Sequence, residues 1–164
     1  MHLRNLKRAG DARLDEVLAL NRAVEVKTSP LDRPALDRLL AAATFAKGIP
    51  APDGPLAAFL IGFATGADYQ SPNYRWFCDR LPRFAYIDRV VVAETARGQG
   101  HARRLYDAFA AHAAAHDLGP LVCEVNSDPP NPGSDAFHAA LGFTEMGRGS
   151  PAPGKVVRYL IRES

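Results

Sequence analysis

Apolar side chains recur every three or four residues in several stretches of the chain, and this spacing predicts amphipathic helices. Asp11 is the expected N-cap of the first helix, and Ser134 that of the last. Between them, the run Val90-Val91-Val92 ends the clearest strand, because consecutive β-branched residues suit a strand buried on both faces. The helices are expected at Asp11 to about Val26, at about 32–43, at about Gly98 to Asp117, and from Ser134 to just before Gly142.

The remaining apolar runs predict strands, with a hairpin turn at Asp53-Gly54. Residues 66–83 are rich in turn formers and follow neither period, so they are expected to be irregular. The order β-α-α-β-β-β-α-β-α-β-β predicts an α/β chain with a mixed sheet of the α+β kind and helices on its faces. The strands are expected at 2–8, 44–47, 56–63, 85–93, 121–125, 143–148 and 155–162.

Composition narrows the class of protein. The 164 residues suit one domain over 1–164, and 47% hydrophobic with 23% charged residues is typical of a soluble globular chain. A net charge of +2 gives no case for nucleic acid, and the longest apolar run, Leu56 to Ala64, is too short to span a membrane. We expect Cys78 and Cys123 to be reduced thiols, and the Cys and His residues do not have the spacing of a zinc site. The N-terminal residues lack the apolar run of a signal peptide, so we expect a cytoplasmic protein without metal.

The glycine-rich turn Arg97-Gly98-Gln99-Gly100 between the triple-valine strand and a helix is the strongest sign of chemistry. Such a turn aims unpaired N–H groups outward at the positive end of a helix, which makes it either a pyrophosphate cradle or a plain strand–helix turn. The phosphate-loop motif of nucleoside triphosphatases is absent, and the third glycine of a dinucleotide motif is replaced by Arg103.

Two motifs resemble the GCN5-related N-acetyltransferases, the GNAT superfamily. Arg97-x-x-Gly100-x-Ala102 is similar to the family's Q/R-x-x-G-x-G/A signature, and Asn131-x-x-Ser134-x-x-Phe137-His138-x-x-Leu141-Gly142-Phe143 is similar to its downstream segment. The resemblance implies a GNAT-type fold, with a central, mostly antiparallel sheet and a splayed parallel strand pair. It also implies acetyl-CoA as the acyl donor.

The resemblance further implies how the donor is held. The pantetheine arm would pair with the main chain of Val90, Val91 and Val92, whose side chains are more simply explained as core. Asn131 and Ser134 would contact the same arm. The turn that binds the pyrophosphate would comprise Arg97, Gly98, Gln99, Gly100, His101, Ala102 and Arg103.

For the reaction, the resemblance implies direct attack of a primary amine on the thioester in a ternary complex, which needs a base. Glu124 resembles the base proposed for ribosomal-protein N-terminal acetyltransferases, and Asp88 resembles that of histone-type members. Either carboxylate could instead pair with Arg89 or another cation, and we favour Glu124 slightly. His138 stands where many relatives carry a Tyr that protonates the departing CoA thiolate. It could equally be a packing residue.

The acceptor site is expected near the aromatic residues. Six of the chain's 14 aromatics lie between Tyr69 and Tyr86, where Tyr69, Tyr74, Trp76 and Tyr86 could wall an amine site, with Glu25 supplying a charge. These aromatics could equally pin a loop to the core. The acceptor, a small-molecule or peptide amine, cannot be read from the chain.

Two other classes of function stay open. One is a catalytically degenerate sensor that binds acyl-CoA, and the other is a protein-interaction domain that uses the aromatic loop 66–86. Relatives commonly dimerise, so a homodimer is also an expectation.

Overall fold

The computed structural model of the chain describes residues 2–24 and 28–163. Within these residues, seven strands and five α-helices follow one another along the chain. They are β1 (Arg4–Asn5), α1 (Asp11–Ala23), α2 (Arg33–Ala42), β2 (Phe45–Pro50), β3 (Leu56–Ala64), α3 (Pro72–Cys78), β4 (Ala85–Val92), α4 (His101–Ala115), β5 (Leu121–Asp128), α5 (Pro132–Ala140), β6 (Thr144–Ala152) and β7 (Lys155–Arg162).

The strands form one seven-stranded sheet in the order β1-β2-β3-β4-β5-β7-β6. The β1–β2, β2–β3, β5–β7 and β6–β7 pairs are antiparallel, whereas β4 and β5 run parallel. The parallel pair is joined at Ala85 with Leu121 and at Tyr86 with Val122. This mixed, mostly antiparallel sheet with one parallel pair confirms the predicted fold class.

The chain divides into two compact units. The first comprises Met1–Phe63 and Asp88–His112, and the second comprises Ala64–Ile87 and Ala113–Ser164. In the first unit, the carboxylate of Asp32 accepts a hydrogen bond from the Ala35 N–H at 2.9 Å and so caps α2. In β3, the eight residues 56–63 are all buried, so this strand belongs entirely to the core of the first unit.

The second unit is built around β5, β7 and β6, with α3 and α5. Residues Leu121, Val122, Cys123 and Val125 of β5 are buried, and β7 contributes Val157, Tyr159 and Leu160 to the same core. The register places Glu124 directly opposite Tyr159. The two side chains therefore lie on the same face of the sheet, because directly paired residues share a face.

The prediction that residues 66–83 are irregular is wrong, because Pro72–Cys78 forms α3. Proline is well tolerated at the first helical position, and Ser71 precedes it in the extended conformation of an N-cap residue. Tyr74 and Phe77, three residues apart, face the core and are buried. The helix forms because its seven residues, about two turns, can bury two large rings.

The remaining differences concern element ends. Residues 2–8 form a two-residue strand and a 3₁₀ turn, because the Asn5 side chain accepts a hydrogen bond from the Lys7 N–H at 3.0 Å. Gly10 rather than Asp11 is the N-cap of α1, since its carbonyl accepts from the Leu14 N–H at 3.1 Å. Asn131 rather than Ser134 caps α5.

Candidate functional site

The glycine turn lies at the start of α4 in the first unit. Gly98 and Gly100 have φ angles of +78° and +80°, which favour glycine, and a Cβ built on either would meet no atom within 4 Å. The Gly100 carbonyl accepts the first helical hydrogen bond from the Arg104 N–H at 3.0 Å. The N–H groups just before Arg104 therefore lack acceptors within the helix.

The charges around this turn suit an anion. Arg97, Arg103 and Arg104 are exposed, and the first turn of α4 contains no acidic residue. Gln99 is exposed and Ala102 half-buried, whereas His101 is buried, with its Nδ1 3.4 Å from Nη1 of Arg104. Backbone donors, a 15-residue helix behind them and a guanidinium at Arg97 together fit a phosphate group.

The triple-valine segment of β4 lies just before this turn. Val91 is buried, while Val90 and Val92 are half-buried. The strand ends at Val92, after which the Ala93 N–H donates to the Ala57 carbonyl at 2.7 Å. The side chains thus behave as core residues, and the role of their main chain toward pantetheine stays a prediction.

Asp88 takes part in a buried polar network of the first unit. Its Oδ2 accepts from Nε of Arg89 at 2.7 Å, and both side chains are only 5% exposed. Arg89 also donates to Oδ1 of Asn21 at 3.0 Å and to the hydroxyl and carbonyl oxygens of Ser29 at 2.8 and 3.3 Å. The alternative in which this carboxylate pairs with Arg89 is therefore what the structure contains.

Glu124 has a different environment in the second unit. It is half-buried, and its Oε1 accepts a hydrogen bond from the Tyr86 hydroxyl at 2.7 Å. Tyr86 is only 1% exposed, so packing in the core fixes the position of the hydroxyl that binds the carboxylate. Glu124 thus accepts a hydrogen bond from a phenol, whereas Asp88 accepts one from the Arg89 guanidinium.

The aromatic residues predicted as an amine site divide into buried and half-exposed members. Tyr74 and Tyr86 are buried, whereas Tyr69 and Trp76 are half-exposed. The Tyr74 hydroxyl donates to the Ala64 carbonyl at 2.6 Å and accepts from the Ala67 N–H at 3.1 Å. Tyr74 thus pins the segment before α3 to the core, as the alternative interpretation expected.

Trp76 is enclosed on both faces. Its ring stacks on Tyr159 with centroids 4.0 Å apart, and the Arg80 guanidinium carbon lies 3.9 Å from the Trp76 ring centroid. Since two groups cannot occupy one side of a ring at this distance, Arg80 covers the opposite face. A Cβ on Gly147 would come within 2.5 Å of the indole, so β6 needs glycine there. This geometry argues against Trp76 as the partner of a substrate ammonium.

His138 is buried on α5 at 6% exposure. Its Nδ1 lies 2.7 Å from the Ser134 carbonyl oxygen, which can only accept, so Nδ1 carries the proton of the neutral ring. Phe137 and Phe143 meet the ring edge-on at 5.2 and 5.3 Å. Burial lowers the pKa of His138 below its ordinary 6.5, with an opposing contribution from the bond to Ser134. Burial thus favours the neutral imidazole, so the predicted role of His138 as an acid gains no support here.

The lowered pKa of His138 predicts a pH dependence of stability. Because the unfolded chain binds this proton more readily than the native protein, the free energy of unfolding should fall as pH decreases from about 6.5 toward the native pKa. Denaturant unfolding of the wild type and H138Q between pH 5 and 8 measures this difference. A stability gap that widens in favour of the wild type on acidification would contradict the assignment.

Two more of the predicted site residues are Asn131, in the downstream motif, and Glu25. The Asn131 side chain accepts from the Ser134 N–H at 3.4 Å, so its amide oxygen serves the helix cap, and its predicted contact with pantetheine stays a prediction. Glu25 lies outside the described residues. Both cysteines are free, with Cys78 exposed and Cys123 buried.

Sequence reasoning missed two residues that contact this cluster, Tyr159 and Arg80. Tyr159 lies opposite Glu124 and donates its hydroxyl to Oδ1 of Asn73 at 2.9 Å. Arg80 covers Trp76. Tyr159 could have been noticed from the period-two burial of β7, but its pairing with Glu124 depends on a strand register that a single sequence does not reveal.

Two absences hold for the described residues. Nowhere in 2–24 and 28–163 do three His, Cys, Asp or Glu side chains come together in a group that could hold a metal ion. Over the same part of the chain, each helix is too short or too polar to cross a membrane.

A family model and several solved structures are similar to the chain. The sequence model of the acetyltransferase (GNAT) family matches residues 37–143, about two thirds of the chain. Among curated proteins, none matches the sequence significantly.

Solved structures with low sequence identity have the same fold. Naa20 of Chaetomium thermophilum, in complex with a bisubstrate analogue, is 20% identical at a TM-score of 0.74, over 99% of this chain and 86% of that one. The ribosomal-protein-alanine N-acetyltransferase of Brucella melitensis is 19% identical at 0.69, over 100% of both chains. A phosphinothricin acetyltransferase of Sinorhizobium meliloti, in complex with AcCoA, is 16% identical at 0.73, over 99% and 87%.

Proposed function

Because the chain belongs to the acetyltransferase (GNAT) family, we propose that it is an acetyl-CoA-dependent N-acetyltransferase. It transfers an acetyl group to a primary amine by direct attack in a ternary complex. The observation that carries the proposal is the turn before α4, where two glycines of positive φ, open space and Arg97 form a cradle for phosphate.

The donor is held through its pyrophosphate at this turn. The N–H groups between Gly98 and Arg103 and the positive end of α4 bind the phosphate oxygens, and Arg97 adds a charge-assisted hydrogen bond. The main chain of Val90 to Val92 pairs with the pantetheine arm. When bound, acetyl-CoA supplies an activated thioester carbonyl.

Glu124 is the proposed base. It accepts a proton from the ammonium group of the acceptor, and the freed amine forms a carbon–nitrogen bond to the carbonyl carbon while the carbon–sulfur bond breaks. As the amide forms, the nitrogen loses a second proton, which the departing CoA thiolate takes up, and Glu124 releases the first proton to solvent. The hydrogen bond from the buried Tyr86 hydroxyl supports this role, because it fixes the position of one carboxylate oxygen.

Asp88 is less suited to this role, since its carboxylate would have to leave the Arg89 guanidinium before taking a proton. His138 takes no part in the proposed proton transfer, because CoA thiolate is a good leaving group and the neutral ring is engaged with Ser134. We therefore treat the two residues as structural in the proposed reaction.

Arg97→Ala tests the cradle. Loss of one charge-assisted hydrogen bond to a phosphate should weaken acetyl-CoA binding about tenfold or more. Titration of the purified protein with acetyl-CoA, followed as the rise in melting temperature, measures the change because a ligand of the native state stabilises it.

The matched control is Arg38→Ala, which removes an exposed arginine of α2 in the same unit. An acetyl-CoA shift that is equal in both variants would contradict the role of Arg97 in the cradle, and the absence of any shift in the wild type would favour the protein-interaction alternative. A normal shift without thiol release from any amine would favour the sensor.

A further inference from the structure

Helix α5 is held to the second unit in different ways at its two ends. At its C-terminal end, His138 and the Leu141 that follows the helix are buried. In its N-terminal half, Pro132, Gly133 and Ala136 are exposed. A helix of nine residues depends on tertiary contacts for its stability, so its first turn needs an attachment other than apolar burial.

Arg158 of β7 supplies this attachment. Its Nη1 donates to Oδ1 of Asp135, in the first turn of α5, at 2.6 Å. Its Nε donates to Oε1 of Glu145 on β6, also at 2.6 Å. Because a guanidinium is a planar fork whose donors point in fixed directions, the carboxylate on β6 orients Arg158. The oriented guanidinium in turn fixes the first turn of α5.

The segment that leads from β5 into α5 is tied to the same strand at its other end. The Ser127 hydroxyl donates to the Val156 carbonyl oxygen at 3.3 Å, and Ser127 forms an isolated bridge with Pro130. Residues 128–134 therefore run between two attachments to β7, at Val156 and at Arg158. Three of these residues are proline, whose fixed φ restricts the segment further.

Asn131 lies in the middle of this segment, so both attachments determine where its side chain points. Its amide oxygen accepts from the Ser134 N–H at 3.4 Å and serves the helix cap. The amide nitrogen is the part of the side chain that can donate to a ligand, and the pantetheine arm of acetyl-CoA carries amide carbonyl oxygens that accept such a bond. A displaced first turn of α5 would therefore weaken this contact.

Building on the proposed function, we infer that Arg158 is a positioning residue for the acyl donor. Through Asp135 it holds the first turn of α5 so that the Asn131 amide group donates to the pantetheine arm. Its role is therefore in the binding of this arm and not in proton transfer.

The first experiment measures the dissociation constants of two ligands by isothermal titration calorimetry. Arg158→Gln should raise Kd for acetyl-CoA about fivefold, which corresponds to one ordinary hydrogen bond. The second ligand, adenosine 3′-phosphate 5′-diphosphate, is CoA without its pantetheine arm, and its Kd should keep the wild-type value. An unchanged Kd for acetyl-CoA, or an equal rise for both ligands, would overturn the inference.

The matched control is Arg148→Gln. Arg148 lies directly opposite Arg158 in the strand register and pairs with the same Glu145, at 3.3 Å. Its removal takes away a neighbouring positive charge but leaves the bond between Arg158 and Asp135 in place. Both dissociation constants should equal those of the wild type. A rise for acetyl-CoA as large as in Arg158→Gln would assign the effect to charge alone and overturn the positioning role.

Two further variants test the route by which Arg158 acts. Asp135→Asn breaks the same bond from the helix side, so the double variant with Arg158→Gln should bind acetyl-CoA no more weakly than Arg158→Gln alone. Asn131→Ser keeps a capping oxygen but shortens the side chain, and should raise Kd for acetyl-CoA to the same extent. Effects of Asp135→Asn and Arg158→Gln that multiply, or an unchanged Kd in Asn131→Ser, would overturn this route.

The melting temperature separates positioning from a merely structural role. The side chains of Arg158 and Asp135 are 26% and 34% exposed, so the loss of their ion pair should cost little stability. We therefore expect Arg158→Gln to lower the melting temperature by a few degrees at most. A large fall in melting temperature together with wild-type dissociation constants would mean that Arg158 is only structural.

Failure of this inference is distinguishable from failure of the proposed function. If only the inference is wrong, the wild type binds acetyl-CoA and releases thiol with an amine, and Arg158→Gln binds acetyl-CoA equally well. If the proposed function is wrong, the wild type itself does not bind acetyl-CoA or releases no thiol with any amine.

Discussion

Glu124→Gln should lower kcat about 10²- to 10⁴-fold, the usual contribution of a positioned general base. Glutamine has the same size and keeps an oxygen that can accept from the Tyr86 hydroxyl, so the ring cluster should stay intact. Acetyl-CoA affinity should be unchanged, because the cradle at Arg97 is untouched. Thiol release with saturating amine measures kcat, and the acetyl-CoA thermal shift measures binding.

The matched control for this variant is Glu163→Gln, which removes an exposed carboxylate just after β7. Its kcat should equal that of the wild type. If Glu124→Gln also keeps full activity, the proton goes to another group or directly to water. A loss of acetyl-CoA binding in Glu124→Gln would mean that the substitution disturbs more than proton transfer.

Asp88→Asn should destabilise the protein by about 3–5 kcal/mol, as expected when one partner of a buried ion pair is removed. The Arg89 guanidinium would keep its hydrogen bonds to Asn21 and Ser29 but lose its counter-charge. Because the Arg89 side chain is only 5% exposed, water cannot replace that counter-charge. For a chain of this length, we expect the melting temperature to fall by about 10 °C. At temperatures where the variant is folded, kcat should stay near the wild-type value. Thermal unfolding and thiol release measure the two effects.

Asp37→Asn is the control for that comparison, since Asp37 pairs with Arg33 at the surface with 58% of its side chain exposed. Exposed ion pairs contribute little, so its melting temperature should barely change. If Asp88→Asn instead melts like the wild type and loses turnover, Asp88 is the base and the assignment of Glu124 fails.

The features that a sequence reveals best here are local ones. The β-branched run at Val90 to Val92 and the glycines at 98 and 100 specify a strand and a turn through backbone preferences that depend on few neighbours. Asp32 caps α2 for the same kind of reason, because its carboxylate reaches an N–H only three residues away. These elements could be placed to within a few residues.

The catalytic contacts are harder to predict because they join distant residues. Tyr86 and Glu124 are 38 positions apart, and their hydrogen bond depends on the register of a parallel strand pair. Helix α3 was missed because seven residues are too few to establish a period, although Ser71-Pro72 is a helix-start signal. Which carboxylate pairs with Arg89 was likewise open, since neighbouring strand residues normally point to opposite faces.

The enclosure of Trp76 gives the protein a built-in spectroscopic reporter. It is the only tryptophan in the chain, so all indole fluorescence originates between Tyr159 and the Arg80 guanidinium. Any rearrangement of α3 on β7 changes the polarity and the quenching that this ring experiences. Emission from the unlabelled protein therefore reports directly on the aromatic cluster around Glu124.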